Sequence, residues 1–344
     1  MATTLPQFQE DIDNRFVETW YEIRPDAVDN VLNATNVWSA LLGNGSFTSQ
    51  AGGDMITRTI RYAIPSATAV QKGDLLGQGE TETETMAIWT FRNLAVHIQG
   101  SVFDDRENRG TFKIKDYIKK RTTEATDAMK QQYEANVLRD IQPDESGKEI
   151  QGLNDLIPPQ ASQTSGTYGK IARPSAYDNA SSAGVISTPT ASGTNPWWGP
   201  TYLEQTTPIV VNLLDDWKRL YNSISANLES PNLILCDQAT FETYEEFAED
   251  KTQIIKDETT RLADLGFSVL RFKGKTLMWS ANVAANTAYF LNTNYIEVVY
   301  DPGMWFDMTR FKDIPLQGER IAHILTALNM IGTQPRRHGL WHPN

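Results

Sequence analysis

The groups in this 344-residue chain that could do chemistry near neutral pH are four histidines, one cysteine and 43 acidic side chains. His338 and His342 stand four apart, the spacing that presents two imidazoles to a metal from one helical face. Gly339 lies between them, Pro343 follows, and no cysteine is near, so a helical metal pair is not expected. His323 falls in an apolar run and reads as a core residue, and His97 ends a strand. Cys236 sits in the apolar stretch LILCD, where a thiol behaves as a small hydrophobe. No GxSxG elbow occurs. Gly274, Lys275 and Thr276 resemble the end of a phosphate loop, but Val269 stands where its first glycine belongs, so Gly274 is read as a hairpin turn. The glycines of GNG at 43–45 carry almost no weight alone. Asp104–Asp105 and Glu245–Glu246 read as solvated charge, although so many acids always leave carboxylate pairs open. No catalytic, cofactor-binding or metal-ligating residue is assigned, and the chain is read as a non-enzyme.

Charge and composition narrow the classes further. Lys plus Arg is 31 against 43 for Asp plus Glu, a formal net charge of −12. A dedicated nucleic-acid binder carries the opposite balance. A single cysteine excludes an internal disulfide framework and suits a reducing compartment. The opening MATTLPQFQEDIDNRF has no basic stretch followed by an apolar run, so no signal peptide is expected. No window approaches the roughly 18 apolar residues of a membrane span. The expectation is a soluble, acidic chain made in the cytoplasm, with no membrane partner.

The elements that must position any site come next. Residues 1–50 open with Glu10, Asp11, Asp13, Glu18, Glu22, Asp26 and Asp29 against Arg15 and Arg24. Phe16, Trp20 and Ile23 share one face of a short helix, a second short helix follows Pro25, and LLGNGSFTSQAGGD reads as a glycine-rich hinge. DMITRTIRYAI (54–64) and TMAIWTFRNLAVHI (85–98) read as the two strands of a long arm. The segment between them, with Gly73, Gly77 and Gly79, is too long for a tight turn and makes a polar tip. One face of the arm carries Ile56, Ile60, Tyr62 and Ile64, interrupted by Arg58, and the other strand carries Leu94, Val96 and Ile98. Two strands alone cannot bury such a face, so another subunit is expected to cover these residues.

Residues 113–140 predict the longest helix, with Ile118, Ala125, Met129, Gln132 and Asn136 forming a thin stripe fit for a surface. Lys113, Lys115, Lys119, Lys120 and Arg121 face Asp116 alone at its start. This basic run fits the inner surface of an assembly or a subunit contact, with a nucleic acid or an acidic arm as partner, or else a solvated face. EIQGLNDLI (149–157) reads as a short strand. The loop at 158–205 is rich in Pro, Ser, Thr, Ala, Gly and Asn and ends in NPWWGP, where Trp197 and Trp198 are expected to anchor it. Val210, Leu213, Leu214, Trp217, Leu220, Tyr221 and Ile224 give the clearest amphipathic helix, over 208–227. LILCD (233–237) is a buried strand, and Asp237 can cap the helix of FETYEEFAED. Residues 237–264 carry nine acids against Lys251, Lys256 and Arg261 and are expected to stay largely exposed. FSVLRF, KTLMWS, AYFLN, IEVVYD and IAHILTALNMI read as strands, and the tail GTQPRRHGLWHPN breaks regular structure. An acidic arm, a β-arm, a thin surface helix and a large loop that do not close on themselves describe an assembly subunit.

The order of these segments resembles the tailed-phage major capsid proteins of the Hong Kong 97 fold. The resemblance rests on the long helix followed by QGLNDLI, on YGKIARPSAYDNASS followed by NPWWGP, on PNLILCDQATFETYEEF, on LGFSVLRFKGKTLMWSANV with AYFLNTNYIEVVY, and on the ending LNMIGTQPRRHGLW. It implies an α+β capsid fold: an N-terminal arm (1–50), an extended β-arm or E-loop (51–100), a peripheral domain (101–228) with spine helix 113–140 and long loop 158–205, an axial domain (229–311), and a return to the peripheral domain with the tail (312–344). It implies hexamers and pentamers of this chain tiling an icosahedral phage head around double-stranded DNA held by weak electrostatic contact. Portal and scaffold or decoration proteins are the other implied partners, no cofactor is implied, and the virion is the implied location. The short N-terminal arm implies a separate scaffold or none. Lys72, the lysine of the arm tip, is read as an ordinary surface residue rather than a cross-linking one. The same fold also builds encapsulin-type bacterial nanocompartments, the second reading; an acidic soluble hydrolase is a distant third.

Overall fold

The computed structural model describes residues 36–65, 67, 69–73, 82–101, 117–138, 148–159, 163–179, 182–207, 209–226, 229–250, 270–310, 312–314 and 319–343. The acidic helix expected around Phe16–Ile23 lies outside them. The chain divides into a smaller unit (Met1–Ala34, Ala95–Gln131, Phe306–Leu325) and a larger one (Thr35–Leu94, Gln132–Trp305, Thr326–Asn344).

In chain order the elements are α1 (Asn36–Gly43), β1 (Phe47–Ser49), β2 (Met55–Arg61), β3 (Glu84–Thr90), β4 (Arg92–Ser101), α2 (Tyr117–Leu138), α3 (Leu153–Leu156), β5 (Thr167–Tyr168), β6 (Ile171–Ala172), β7 (Ile186–Ser187), β8 (Thr201–Glu204), α4 (Ile209–Ile224), β9 (Leu233–Cys236) and α5 (Gln238–Asp250). They continue with β10 (Leu270–Phe272), β11 (Lys275–Trp279), β12 (Ala288–Leu291), β13 (Ile296–Tyr300), β14 (Asp307–Met308), β15 (Lys312–Asp313), β16 (Glu319–Gly332) and β17 (Gly339–His342). The mixture is α+β, as the sequence implies.

The core of the larger unit is a seven-stranded mixed sheet in the order β10-β11-β9-β12-β17-β8-β7. Every residue of β8, β9, β12 and β17 is buried, because the sheet is covered on both faces and the strands read as continuous apolar runs. Side chains alternate between those faces. Leu203, Ile234, Cys236, Ala288, Phe290 and Trp341 join the stripe Leu213, Trp217, Leu220, Tyr221 and Ile224 of α4 in one apolar cluster. On the residues between them, the Tyr289 hydroxyl donates to Asn154 Oδ1 at 2.9 Å and the Tyr202 hydroxyl to the Pro158 carbonyl at 2.7 Å, tying the sheet to α3 and the chain after it. Asp216 of α4 is buried and accepts from the Thr206 amide and hydroxyl and from Trp341 Nε1, at 2.9, 3.0 and 3.4 Å.

Also in the larger unit, β1 runs parallel to β13, and β13 antiparallel to the second half of β16. In the smaller unit β14 and β15 pair with the first half of β16. β4 also pairs with β16. The expected glycine-rich hinge is therefore partly the end of α1 and partly β1, an edge strand.

Several expectations need correction. The strand expected at 85–98 is two strands, β3 and β4, separated at Phe91. The strand expected at 149–157 contains the short helix α3, because Gly152 must lie against the end of α2. A Cβ there would stand 2.6 and 2.7 Å from the carbonyl oxygens of Val137 and Asn136. Nor is α2 only a surface helix: Ala125, Met129, Tyr133, Val137 and Leu138 are buried, and Gln132, counted in its stripe, is exposed. The loop at 158–205 contains β5, β6, β7 and β8. The tail is not irregular. β17 is an inner strand between β12 and β8, antiparallel to the first and parallel to the second. Residues 339–342, expected in a return to the peripheral domain, and α4, expected in that domain, thus share one sheet and core with β9–β12, expected in the axial domain.

The Gly152 contact sets a clear expectation. Gly152→Ala presses a methyl into backbone carbonyls, which cannot rotate away as a side chain can. The substitution is expected to cost about 3 kcal/mol, read as a lower urea midpoint at unchanged slope in the unassembled chain.

Candidate functional site

The arm is where sequence reading placed the subunit contact, and its root is built as follows. β2 and β3 pair antiparallel from Met55↔Thr90 to Arg61↔Glu84. Ile56, Arg58 and Ile60 therefore share one face with Trp89, Ala87 and Thr85. Ile56, Ile60, Ala87 and Trp89 are all buried. What covers this face is the chain's own long loop. Gly169, in the left-handed region at φ +56°, sits so close that a Cβ would lie 2.8 Å from the Trp89 ring and 3.2 Å from the Ala87 methyl. Its carbonyl accepts the Ile88 amide at 3.0 Å. The Tyr168 ring meets Trp89 edge-on, with centroids 5.7 Å apart.

The tryptophan pair divides its work. Trp198 is buried and donates Nε1–H to the Tyr168 carbonyl at 3.0 Å, while the Tyr168 hydroxyl accepts the Gly332 amide at 2.7 Å. Trp197 is only half-buried and stacks on Tyr62 of the arm, with centroids 5.1 Å apart. Arg173 sits beside this group, buried, with Nη2 donating to the Asp155 carbonyl at 2.5 Å and its guanidinium 5.8 Å from the Tyr168 ring centroid. Burial lowers the Arg173 pKa and raises those of Asp155 and Tyr168; the Asp155 carboxylate partly offsets the Arg173 shift.

Two polar devices also hold the root. Arg58, which interrupts the apolar face, reaches β13 and donates from Nε and Nη2 to Glu297 Oε2 at 3.1 and 2.7 Å. Asn329 of β16 is fully buried and fully used. Nδ2 donates to the Thr90 carbonyl at 2.8 Å and to Gln151 Oε1 at 3.0 Å, and Oδ1 accepts the Gln151 and Met330 amides, each at 3.0 Å. Nothing in the sequence marked Asn329, which looks like one polar residue in an apolar strand.

The proposed contact residues consequently separate. Ile56 and Ile60 are not available to a neighbour, because their own chain covers them. Tyr62 is partly covered by Trp197, and Ile64 is 79% exposed. Leu94, Val96 and Ile98 do not face the first strand, whose partner is β3; they lie on β4, with Ile98 buried and Leu94 and Val96 half-buried. The open face of the ribbon instead carries Met55 and Met86, 45% and 56% exposed, among Thr57, Thr59 and Arg61. Val70 is exposed further toward the tip, as is Lys72.

In the basic run, Lys113 and Lys115 fall outside the described residues, and Lys119 and Lys120 belong to the first turn of α2. Arg121 is half-exposed and lies 3.8 Å from Glu124 one turn on. Of the acidic stretch, Glu242 and Glu246 are exposed and Glu245 half-buried on α5, whereas Asp237 is buried. Residues 251–264 lie outside the described residues.

Among the described residues no group of three metal-ligating side chains converges. Burial pushes the Cys236 thiol well up, so it stays protonated. His338 Nδ1 accepts the Asn292 amide at 3.3 Å, His342 Nδ1 lies 2.6 Å from the Pro343 carbonyl, and neither Nε2 has a hydrogen-bond partner among the described residues. His97 and His323 are exposed. Among the described residues no helix is long and apolar enough to cross a membrane.

The geometry ranks the two polar devices at the root. Asn329→Leu keeps the volume but leaves the Gln151 amide and the Thr90 carbonyl without partners, and is expected to cost about 2–4 kcal/mol. Arg58→Met opens a part-exposed ion pair and is expected to cost about 1 kcal/mol or less. Urea unfolding of both variants checks the order, and an equal or reversed cost would contradict it.

No family model matches the sequence, and no curated protein matches it. Solved structures do match. The chain resembles that of the Cyanophage A-1(L) capsid asymmetric unit at 14% identity and TM-score 0.62, over 92% of this chain and 94% of that one. It resembles the holo-SrpI encapsulin complex from Synechococcus elongatus PCC 7942 at 11% identity and TM-score 0.54, over 92% and 90%. It resembles the capsid of a native GTA particle at 13% identity and TM-score 0.52, over 91% and 92%. The fold is therefore the Hong Kong 97 capsid fold.

Proposed function

We propose that the chain is a shell-forming structural subunit, a major capsid protein that assembles with copies of itself into hexamers and pentamers of an icosahedral tailed-phage head around double-stranded DNA. The observation that carries the reading is the likeness to a phage capsid subunit over nine-tenths of both chains. The role in this reading is structural rather than enzymatic. In this reading the arm's open face around Met55 and Met86, with Ile64 and Val70 toward the tip, meets a neighbouring subunit. Portal, scaffold and decoration proteins, and packaged DNA near the start of α2, are the further partners. The virion is its location, after synthesis in the host cytoplasm.

The encapsulin likeness supports a second reading, a nanocompartment shell, at the lower TM-score of 0.54. Negative-stain microscopy of the purified chain separates the two. Phage-like heads support the first, small cargo-filled shells the second, and no assembly under any condition refutes both.

Because Ile56, Ile60, Ala87 and Trp89 belong to the body of the subunit, deleting the whole arm would test stability rather than assembly. The informative variants spare β2 and β3. Met86→Asp puts a charge on the open face, where a surface change shifts stability by about 0.5 kcal/mol at most, yet a charge buried unpaired in a contact is costly. Replacing residues 66–80 by a short Gly-Ser linker removes the tip alone. Both variants are expected to match the parent in circular dichroism and urea midpoint while failing to form closed shells. Normal shells from both would refute the arm's role in assembly.

A further inference from the structure

We infer that His338 is an acid-sensitive pin for the final strand, β17. The residue stands where the chain leaves the 335–337 turn and enters an inner position of the seven-stranded sheet. Its backbone is tied on both sides: its amide donates to the Pro335 carbonyl at 3.0 Å, and its carbonyl accepts the Thr201 amide of β8 at 3.1 Å. Its side chain is completely buried, and Nδ1 accepts the Asn292 amide, where the chain leaves β12, at 3.3 Å. A backbone amide can only donate, so Nδ1 must be the bare nitrogen and the single ring proton sits on Nε2. The imidazole thus joins the tail to the end of β12 only while it is neutral.

Protonation reverses this bond. A proton on Nδ1 would point at the Asn292 N–H, turning an acceptor–donor pair into two opposed donors. Among the described residues the new charge would have no anion to meet. On the 335–337 turn, Arg336 and Arg337 are cations, and Arg337 lies 3.8 Å from Glu229. From the 293–295 turn, the Tyr295 hydroxyl also donates to Glu229, at 2.5 Å. β8 offers Thr201 at this level, and its buried Glu204 lies opposite His342, not His338. α4 lies on the other face of the strand, where Leu220 and Ile224 come nearest to Gly339. Burial alone holds the His338 pKa down, to about 3 against an ordinary 6.5.

The sign of the linkage follows. With the folded pKa depressed, the contribution to stability is complete above pH 6.5 and is lost as pH falls from there toward 3. In that window the open chain takes up a proton that the folded chain refuses, so the folding equilibrium loses up to about tenfold per pH unit. Opening at β17 parts β12 from β8, so proton uptake divides the sheet between β10-β11-β9-β12 and β8-β7.

Equilibrium urea unfolding of the unassembled full chain at pH 7.0 and 5.0 reads this directly. The range stays above most carboxylate titrations. His338→Asn keeps a neutral acceptor near the Nδ1 position and removes the titration. Between the two pH values the parent is expected to lose about 25-fold more in its folding constant than His338→Asn. Equal losses overturn the inference. Should His338→Asn not fold, hydrogen exchange on His342→Gln, in which His338 is the tail's remaining histidine, carries the test. Protection of the 339–342 amides, corrected for intrinsic exchange, should fall about tenfold per pH unit below 6.5, and constant protection to pH 5.0 overturns it.

Discussion

A two-stranded ribbon has two faces and no third layer, so it cannot keep both dry by itself. Much of the arrangement around the arm follows from how this chain meets that constraint. The inner face of β2 and β3 is covered by a turn of the long loop, and the turn can come close enough only because residue 169 has no side chain. That turn is in turn fixed by Trp198 and by the Tyr168 hydroxyl on the Gly332 amide. The loop at 158–205, long for a connection, therefore works as the missing layer under the arm. Its length and its small residues have a packing reason, not only a functional one.

The same logic explains the polar residues at the root. Arg58 on an apolar face and Asn329 in an apolar strand would each be costly if unpaired. Each instead joins two pieces of chain distant in sequence: Arg58 joins the arm to β13, and Asn329 joins the end of β3 to β16 and to the residue before Gly152. A satisfied buried polar group of this kind specifies one geometry more sharply than an apolar contact, because the alternatives leave donors and acceptors bare. The direction of the arm at its root is thus set by directional bonds as well as by burial.

How much of this could be read in advance depends on whether the signal is local. The stripe from Leu213 to Ile224 repeats at helical spacing with a wide apolar face, so α4 was legible, as were β9, β12 and β13 from their apolar runs. Trp198 was legible because a tryptophan in a polar loop has few places to go. The end of α2 was not, because buried Glu134 and Asn136 interrupt Tyr133, Val137 and Leu138 and thin the apparent stripe. GLWH was hidden by the polar PRRH before it, although all four of its residues are buried. Above all, pairing was not legible. That β3 rather than β4 faces β2, and that Ile56 and Ile60 are covered from residue 169, are facts about residues far apart in the chain. An apolar face read from sequence says that something covers it, not what does.

That distinction also bounds the root of the arm. Tyr62 and Ala63 still bond to the Thr83 carbonyl, at 2.9 and 3.3 Å, and Tyr62 still stacks on Trp197. Up to this level the ribbon cannot swing without breaking the Arg58 and Asn329 bonds and exposing Trp89 to water. To that point the root keeps the same face toward its own body. In the proposed reading the open face, with its two methionines, suits a subunit contact: thioether side chains are unbranched and repack against a partner whose angle varies, where a β-branched face would demand one fit.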